Sequence, residues 1–146
     1  MSAQDNKALS RQAIEEAWNK GNLSVIDQVY APDFLGHDPG SPIGELRGRE
    51  GARQYVSAYR TAFPDAHITI EDQIAEGDKV VTRFTARGTQ RGALPGIPPT
   101  GKQAMVTGIT IERFAAGKIV ENWVNVDTLS MLQQLGVIPQ MARSGA

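Results

Sequence analysis

The chain has 146 residues and a mass of 15.8 kDa, which is enough for one domain with a continuous hydrophobic core. Fifteen basic and sixteen acidic residues leave a net charge near −1, which excludes the basic surface that nucleic acid requires. The sequence has no cysteine, which excludes disulfides, thiolate nucleophiles and cysteine-ligated metals. No apolar run has the length of a membrane span, and the N-terminus lacks a signal-peptide core, so we expect a cytoplasmic protein with no membrane partner.

Apolar residues recur at helical spacing in three N-terminal segments, which predicts three amphipathic helices. Their approximate bounds are residues 5–19, 23–30 and 49–63. Gly21 ends the first helix, and Pro64 ends the third because the residue before a proline avoids helical backbone. Residues 33–39 are predicted to form a short strand or extended turn, followed by a loop rich in Gly and Pro over 40–48.

From residue 66 onward apolar and polar residues alternate, which predicts strands. The expected strands cover residues 67–74, 79–88, 103–114 and 117–127. Tight turns join the first pair and the last pair, a proline-rich loop lies between the pairs, and a short apolar helix ends the domain. The order predicts an α+β fold, in which a cone-shaped, curved antiparallel sheet and three N-terminal helices enclose a pocket.

The last predicted strand places four unusual side chains on one face, since alternate residues of a strand point the same way. They are Glu121, Trp123, Asn125 and Asp127. Two carboxylates, an indole and an amide make a poor solvated face and a poor dry core. We therefore expect this face to line the pocket.

Five segments in this order resemble the SnoaL-like polyketide cyclase (ester cyclase) family. They are Phe34–Pro39, Gly48–Gly51, Ala62–Asp65, Gly96–Gly101 and Gly117–Gly136. The resemblance covers a core of about residues 9–136 in a single domain over residues 1–146. It implies the nuclear transport factor 2-like cone fold and a cofactor-free intramolecular aldol cyclisation with a cavity aspartate as general acid and base. Other enzymes share this fold, so the fold alone does not define the reaction.

Asp127 and His37 are the candidate catalytic residues. In an apolar pocket walled by Trp123, the Asp127 carboxyl could remove a proton from carbon and return one to an alkoxide. Asp127 also precedes Thr128 at a good N-cap position, so a capping role stays open. His37 is expected at the mouth of the cone, where it could relay a proton or bind a substrate oxygen. Its alternative is a structural histidine bonded to backbone.

Two further residues of the last strand are candidate substrate-binding groups. Glu121 could be a second cavity carboxylate, or it could form an ion pair with Arg83 or Arg113 from neighbouring strands. Asn125 could donate a hydrogen bond to an enolate oxygen. Trp123 would form the apolar wall of the same pocket.

The aromatic residues of the N-terminal half are the remaining candidates for substrate binding. They are Trp18, Phe34, Tyr55, Tyr59 and Phe63. Aromatic residues at helical spacing commonly form core, and this alternative stays open. A buried tyrosine needs a hydrogen-bond partner, however, and a substrate carbonyl would be one.

The candidate residues favour an acid/base enzyme acting on a small, largely apolar carbonyl compound, and the family resemblance implies that it is cofactor-independent and of polyketide cyclase (intramolecular aldol) type. Two widely separated histidines and no cysteines show no metal-ligand spacing, so no metal or cofactor is expected. One alternative is a non-catalytic small-ligand-binding protein with the same pocket, and another is a hydrolase, dehydratase or isomerase of the same fold. We expect a homodimer or higher homo-oligomer that pairs through the outer face of the sheet.

Overall fold

A computed structural model describes residues 2–41 and 43–140. Its helices are α1 (Ala3–Ala13), which continues into a π-helical segment (Ile14–Asn19), α2 (Val25–Val29), α3 (Gly48–Ala62) and α4 (Thr128–Gln134). Its strands are β1 (Tyr30–His37), β2 (Leu46–Arg47), β3 (His67–Glu76), β4 (Lys79–Thr89), β5 (Gln103–Ala115) and β6 (Lys118–Val126). The predicted α+β class is confirmed. Within the described ranges, no helix has both the length and the apolar character needed to cross a membrane.

The six strands form one sheet in the order β2-β1-β6-β5-β4-β3. Strands β3 to β6 are an antiparallel meander, as predicted, and β2 is antiparallel to β1. The pair β1–β6 is parallel, so the sheet is mixed instead of wholly antiparallel. This difference arises because the chain leaves β1 through β2 and α3, crosses to the far edge of the sheet, and returns strand by strand until β6 lies beside β1.

The sheet is curved, and the helices cover its concave face. Pairing shifts register between Ile70 and Asp72 and between Arg113 and Phe114, and such bulges bend a strand. The inward position Gly108 on β5 has no side chain because a Cβ there would lie 2.5 Å from Cζ of Phe84. The curvature leaves room for a cavity between the sheet and the helices.

Helix α4 is capped at its first turn and is held against the sheet at its last turn. The Asp127 side chain accepts a hydrogen bond from the backbone N–H of Ser130 at 3.1 Å, which is the N-cap geometry. The Gln134 amide accepts from the backbone N–H of Met105 at 2.8 Å and donates to its carbonyl at 2.9 Å. Leu135 is only 1% exposed and belongs to the core cluster around Phe63.

The capping geometry predicts a difference between two substitutions of Asp127. Asp127→Ala should lower the free energy of unfolding by about 1 kcal/mol, because it removes the acceptor for the Ser130 N–H. Asp127→Asn should leave stability within about 0.5 kcal/mol of the original, because asparagine caps as well as aspartate. Urea unfolding of the two variants measures this. Equal stability of the alanine and asparagine variants would contradict the capping role.

Candidate active site

The concave face of the sheet, the π-helical segment, α3 and α4 enclose a cavity of about 170 Å³. An engineered cavity of about 150 Å³ is large enough for a benzene molecule, so this cavity can hold a compact ring. Its lining is mainly apolar. The polar or charged residues in the lining are Tyr30, Asp38, Tyr55, Tyr59, His67, Arg87, Thr110, Glu112, Asn122 and Thr128.

The side of β6 that faces this cavity is the opposite of the predicted one. Asn122, Val124 and Val126 line the cavity. Glu121, Trp123 and Asn125 point to the outer face of the sheet, and the predicted placement of these residues in the cavity wall is wrong. Alternation shows which residues share a face, but only the packing of the helices decides which face is covered.

Glu121 forms an ion-paired cluster on the outer face. Its Oε2 atom is 2.8 Å from Nε2 of His37, and its Oε1 atom accepts a hydrogen bond from Nη2 of Arg113 at 3.2 Å. The hydrogen bond with His37, and secondly that with Arg113, lowers the pKa of Glu121. Of the two arginines considered from the sequence, Arg113 is the partner, since Arg83 is bonded to Asp72.

His37 belongs to this outer cluster and does not line the cavity. Its ring stacks on Trp123 with 5.8 Å between ring centroids and an interplanar angle of 19°. Both residues line a shallow outer groove together with Glu45 and Asn125. The structural alternative for His37 therefore fits its position, with a carboxylate as its partner in place of backbone.

Asp127 is exposed and caps α4, and it is absent from the cavity lining. Its predicted placement beside Trp123 in an apolar pocket is wrong, because β6 ends at Val126 and the chain turns into α4. Of the two interpretations left open by the sequence, capping is the one that the geometry shows.

Asp38, directly after β1, is the carboxylate that the cavity contains near the aromatic residues. It is 5% exposed, and its Oδ2 atom accepts a hydrogen bond from the hydroxyl of Tyr55. Burial raises the pKa of Asp38, while the hydrogen bonds from Tyr55 and from the backbone N–H of Gly40 oppose that rise. From the sequence, Asp38 falls within the short strand or extended turn predicted for residues 33–39 and is not among the predicted site residues. Its alternation with Phe34 and Gly36, both buried, was the signal that could have placed it on the inner face.

Trp18, Tyr55 and Tyr59 form an aromatic wall beside Asp38. The ring centroids of Trp18 and Tyr55 are 5.6 Å apart at an interplanar angle of 86°, and those of Tyr55 and Tyr59 are 5.1 Å apart. The Tyr59 hydroxyl donates to Oγ of Ser41 at 3.1 Å. Burial raises the pKa of both tyrosines, so their hydroxyls keep their protons and remain donors.

The five aromatic residues proposed from the sequence all line the cavity. They are Trp18, Phe34, Tyr55, Tyr59 and Phe63. Phe34, Tyr55 and Phe63 are buried, so they also belong to the core, which was the alternative left open. Their binding of a substrate stays a prediction.

Glu112 on β5 is a second cavity carboxyl, and the sequence analysis missed it. It is 4% exposed and accepts a hydrogen bond at Oε1 from the hydroxyl of Ser10 on α1. Burial raises the pKa of Glu112 to about 7, although the hydrogen bond from Ser10 opposes the rise. Its alternation with the inward-facing Thr110 and Phe114 was the available signal.

Groups of three or more His, Cys, Asp or Glu residues arranged to hold a metal ion are absent from residues 2–41 and 43–140.

The family model described as SnoaL-like polyketide cyclase matches residues 8–135. The aklanonic acid methyl ester cyclase DauD of Streptomyces sp. (strain C5) is 29% identical over 127 residues, which is 83% of this chain and 76% of DauD. The structure of TsrD from Streptomyces laurentii has a TM-score of 0.84 at 28% identity, covering 94% of this chain and 99% of TsrD. Wild-type IdmH from Streptomyces antibioticus has a TM-score of 0.78 at 35% identity, covering 90% of this chain and 98% of IdmH.

The raised pKa of Glu112 predicts how stability depends on pH. Between the ordinary value of 4.5 and about 7, the folded protein holds a proton that the unfolded chain has released. The contribution of Glu112 to the free energy of unfolding is therefore fully present below pH 4.5 and is lost as pH rises through 7, a decrease of about 3 kcal/mol. Glu112→Gln keeps a neutral side chain at every pH and should lack this decrease.

Urea unfolding of the original protein and of Glu112→Gln at a series of pH values checks this. The difference between the two proteins isolates Glu112 from the other carboxyl groups, including Asp38, whose raised pKa acts in the same direction. A difference that does not change with pH would show that the pKa of Glu112 is the same in the folded protein and in the unfolded chain.

Proposed function

Because the chain belongs to the SnoaL-like polyketide cyclase family, as its motifs predicted, we propose that it closes a ring in a small, largely apolar carbonyl compound by an intramolecular aldol reaction. Family membership and the similarity to aklanonic acid methyl ester cyclases support a cyclase-type function. To this cyclase-type function we add the type of reaction, the absence of a cofactor and the residues that carry out the reaction. The observation that carries it is the burial of Asp38 in the cavity wall beside Tyr55 and Tyr59.

Asp38 is the proposed general base and acid, in place of Asp127. As a carboxylate it removes a proton from a carbon atom between two carbonyl groups of the substrate. The enolate carbon then attacks another carbonyl carbon of the same molecule. The oxygen of that second carbonyl group becomes an alkoxide and takes the proton back from Asp38. One C–C bond forms, no electrons leave or enter the substrate, and the carboxylate is restored, so the step needs no oxidant or reductant.

The surroundings of Asp38 suit this role. Burial raises its pKa toward the working range, which makes the carboxylate a stronger base than an exposed aspartate. The hydrogen bond from Tyr55 fixes the orientation of the carboxyl group. The Tyr59 hydroxyl, which donates to Ser41 in the structure, is the proposed donor to the enolate oxygen.

The cavity also limits the substrate. A volume of about 170 Å³ with a mainly apolar lining favours a compact ring that bears few polar groups. DauD is named for a methyl ester, aklanonic acid methyl ester, and this similarity supports an ester-bearing carbonyl compound as the substrate class. The exposed side chains of His67 and Arg87 lie at the mouth of the cavity, where they would contact a polar group of the substrate that stays outside the cavity.

Proton abstraction can be tested without the natural substrate. Ethyl benzoylacetate has a CH₂ group between two carbonyls, and proton NMR in D₂O follows its exchange. We expect the protein to accelerate exchange above the buffer rate, and Asp38→Asn to reduce that acceleration by about 10² to 10⁴, the usual contribution of a general base. Asp127→Asn is the matched control and should exchange at the original rate.

The opposite pattern, with exchange lost in Asp127→Asn and kept in Asp38→Asn, would overturn the assignment. Saturable binding of ethyl benzoylacetate with no acceleration of exchange in the original protein would instead support the alternative of a non-catalytic ligand-binding protein. Calorimetric titration of the same compound measures its binding directly, and so identifies the case of binding without proton exchange.

A further inference from the structure

The inner end of the cavity contains a group of polar side chains that the aldol chemistry at Asp38 does not use. We call Thr110, Glu112 and Asn122 the floor subsite. All three line the cavity, and their exposed fractions are 8%, 4% and 8%. Glu112 pairs with Asn122 across β5 and β6, and Thr110 lies two residues from Glu112 on the same face of β5.

Two atoms of the floor subsite lack hydrogen-bond partners among the described residues: Oδ1 of Asn122 and Oγ1 of Thr110. A buried polar atom without a partner destabilises the folded protein, and native proteins have few of them. Oδ1 of Asn122 lies over Gly36, beside it in the sheet, since a Cβ there would lie 2.9 Å from it. An unpartnered carbonyl oxygen needs a donor, which is an N–H or an O–H group.

Glu112 adds a donor to the same place. The hydroxyl of Ser10 already donates to Oε1, so the proton of the neutral carboxyl group is available to donate to another oxygen. The side chains packed around Glu112 are uncharged, so none of them favours its ionised form. Gln73 on β3 donates to Ser10 on α1 and to Thr82 on β4. Tyr30 is a buried phenol. A hydroxyl group placed between these two side chains, Glu112 and Asn122, would accept from Glu112 and donate to Asn122, because a hydroxyl is both a donor and an acceptor.

We propose that the floor subsite binds a hydroxyl group of the substrate, at the opposite end of the molecule from the carbonyl that meets Asp38. This inference rests on the proposed function only for the position of the substrate carbonyl group at Asp38. Gly36, Asn122 and Glu112 form one row across β1, β6 and β5, and Asp38 lies two residues beyond Gly36. Strand spacings of about 4.8 Å and a rise of about 3.3 Å per residue separate the Cα atoms of Asp38 and Glu112 by roughly 12 Å.

The substrate class that follows is a ring compound with a carbonyl group at one end and a phenol or alcohol at the other. The apolar middle of such a molecule would lie against the cavity residues between the two polar ends, including Val124 and Val56. A purely structural role for the Glu112–Ser10 hydrogen bond would not provide partners for Asn122 and Thr110.

Two probes of nearly equal shape test the proposal: para-hydroxyacetophenone and para-methylacetophenone. Both carry the carbonyl group, but only the first carries the hydroxyl. Calorimetric titration should show that the protein binds the hydroxyl probe roughly five- to tenfold more tightly than the methyl probe, the gain expected from hydrogen bonds to otherwise unpartnered groups. The quantity to compare between variants is this ratio of the two dissociation constants.

Glu112→Leu should abolish the preference or reverse it, whereas Glu112→Gln, which keeps a neutral donor of the same size, should retain most of it. Thr110→Val changes shape very little and should lower the ratio, and it serves as the second test if Glu112→Leu does not fold. Thr107→Val is the matched control, because Thr107 lies on the outer face of the same strand and should not change the ratio.

Equal affinity of the original protein for both probes, or an unchanged ratio in both Glu112→Leu and Thr110→Val, would overturn the proposal and leave the proposed function standing, because the exchange of ethyl benzoylacetate needs no hydroxyl group. Failure to bind either probe would overturn both claims, since both probes carry the carbonyl group. Asp38→Asn should lose the acceleration of proton exchange and keep the preference for the hydroxyl probe, so the two claims can fail separately.

Discussion

The site depends on one constraint, the pairing of β6 between β1 and β5. Asn122 lies opposite Gly36 on one side and Glu112 on the other, so these three positions face the same way. The helices cover that face and exclude solvent from it. Everything on the opposite face, including the Glu121–His37 pair, remains outside the cavity.

Because of this register, the cavity holds two carboxyl groups in different surroundings. Asp38 accepts hydrogen bonds from Tyr55 and from a backbone N–H, which favour its ionised form against the effect of burial. Among residues 2–41 and 43–140, Glu112 accepts a hydrogen bond only from the hydroxyl of Ser10, and its burial favours its neutral form. A base at one end of an apolar cavity and a neutral donor at the other can orient a substrate and remove a proton from it.

Much of the fold could be predicted from the sequence, since helical spacing and strand alternation mark the elements and the family motifs mark the cone. The site was harder to predict, because alternation in Glu121–Asp127 is equally strong on both faces. The residues on the outer face carry carboxylate, indole and amide groups, so the predicted site was assigned to them. Asp38 and Glu112 look ordinary in the sequence, and their character comes from helices that pack against them from distant segments, α1 and α3.

The central claim is that the face of β6 with Asn122 lies inside and the face with Asn125 lies outside. Since the sequence has no cysteine, each asparagine can be replaced alone by a cysteine and its reaction rate with an aromatic disulfide reagent measured in the folded protein. The structure predicts that Asn125→Cys reacts at nearly the rate of an unfolded chain and that Asn122→Cys reacts at least about 100-fold more slowly, since a buried thiol is protected. Faster reaction at position 122 than at position 125 would contradict the account.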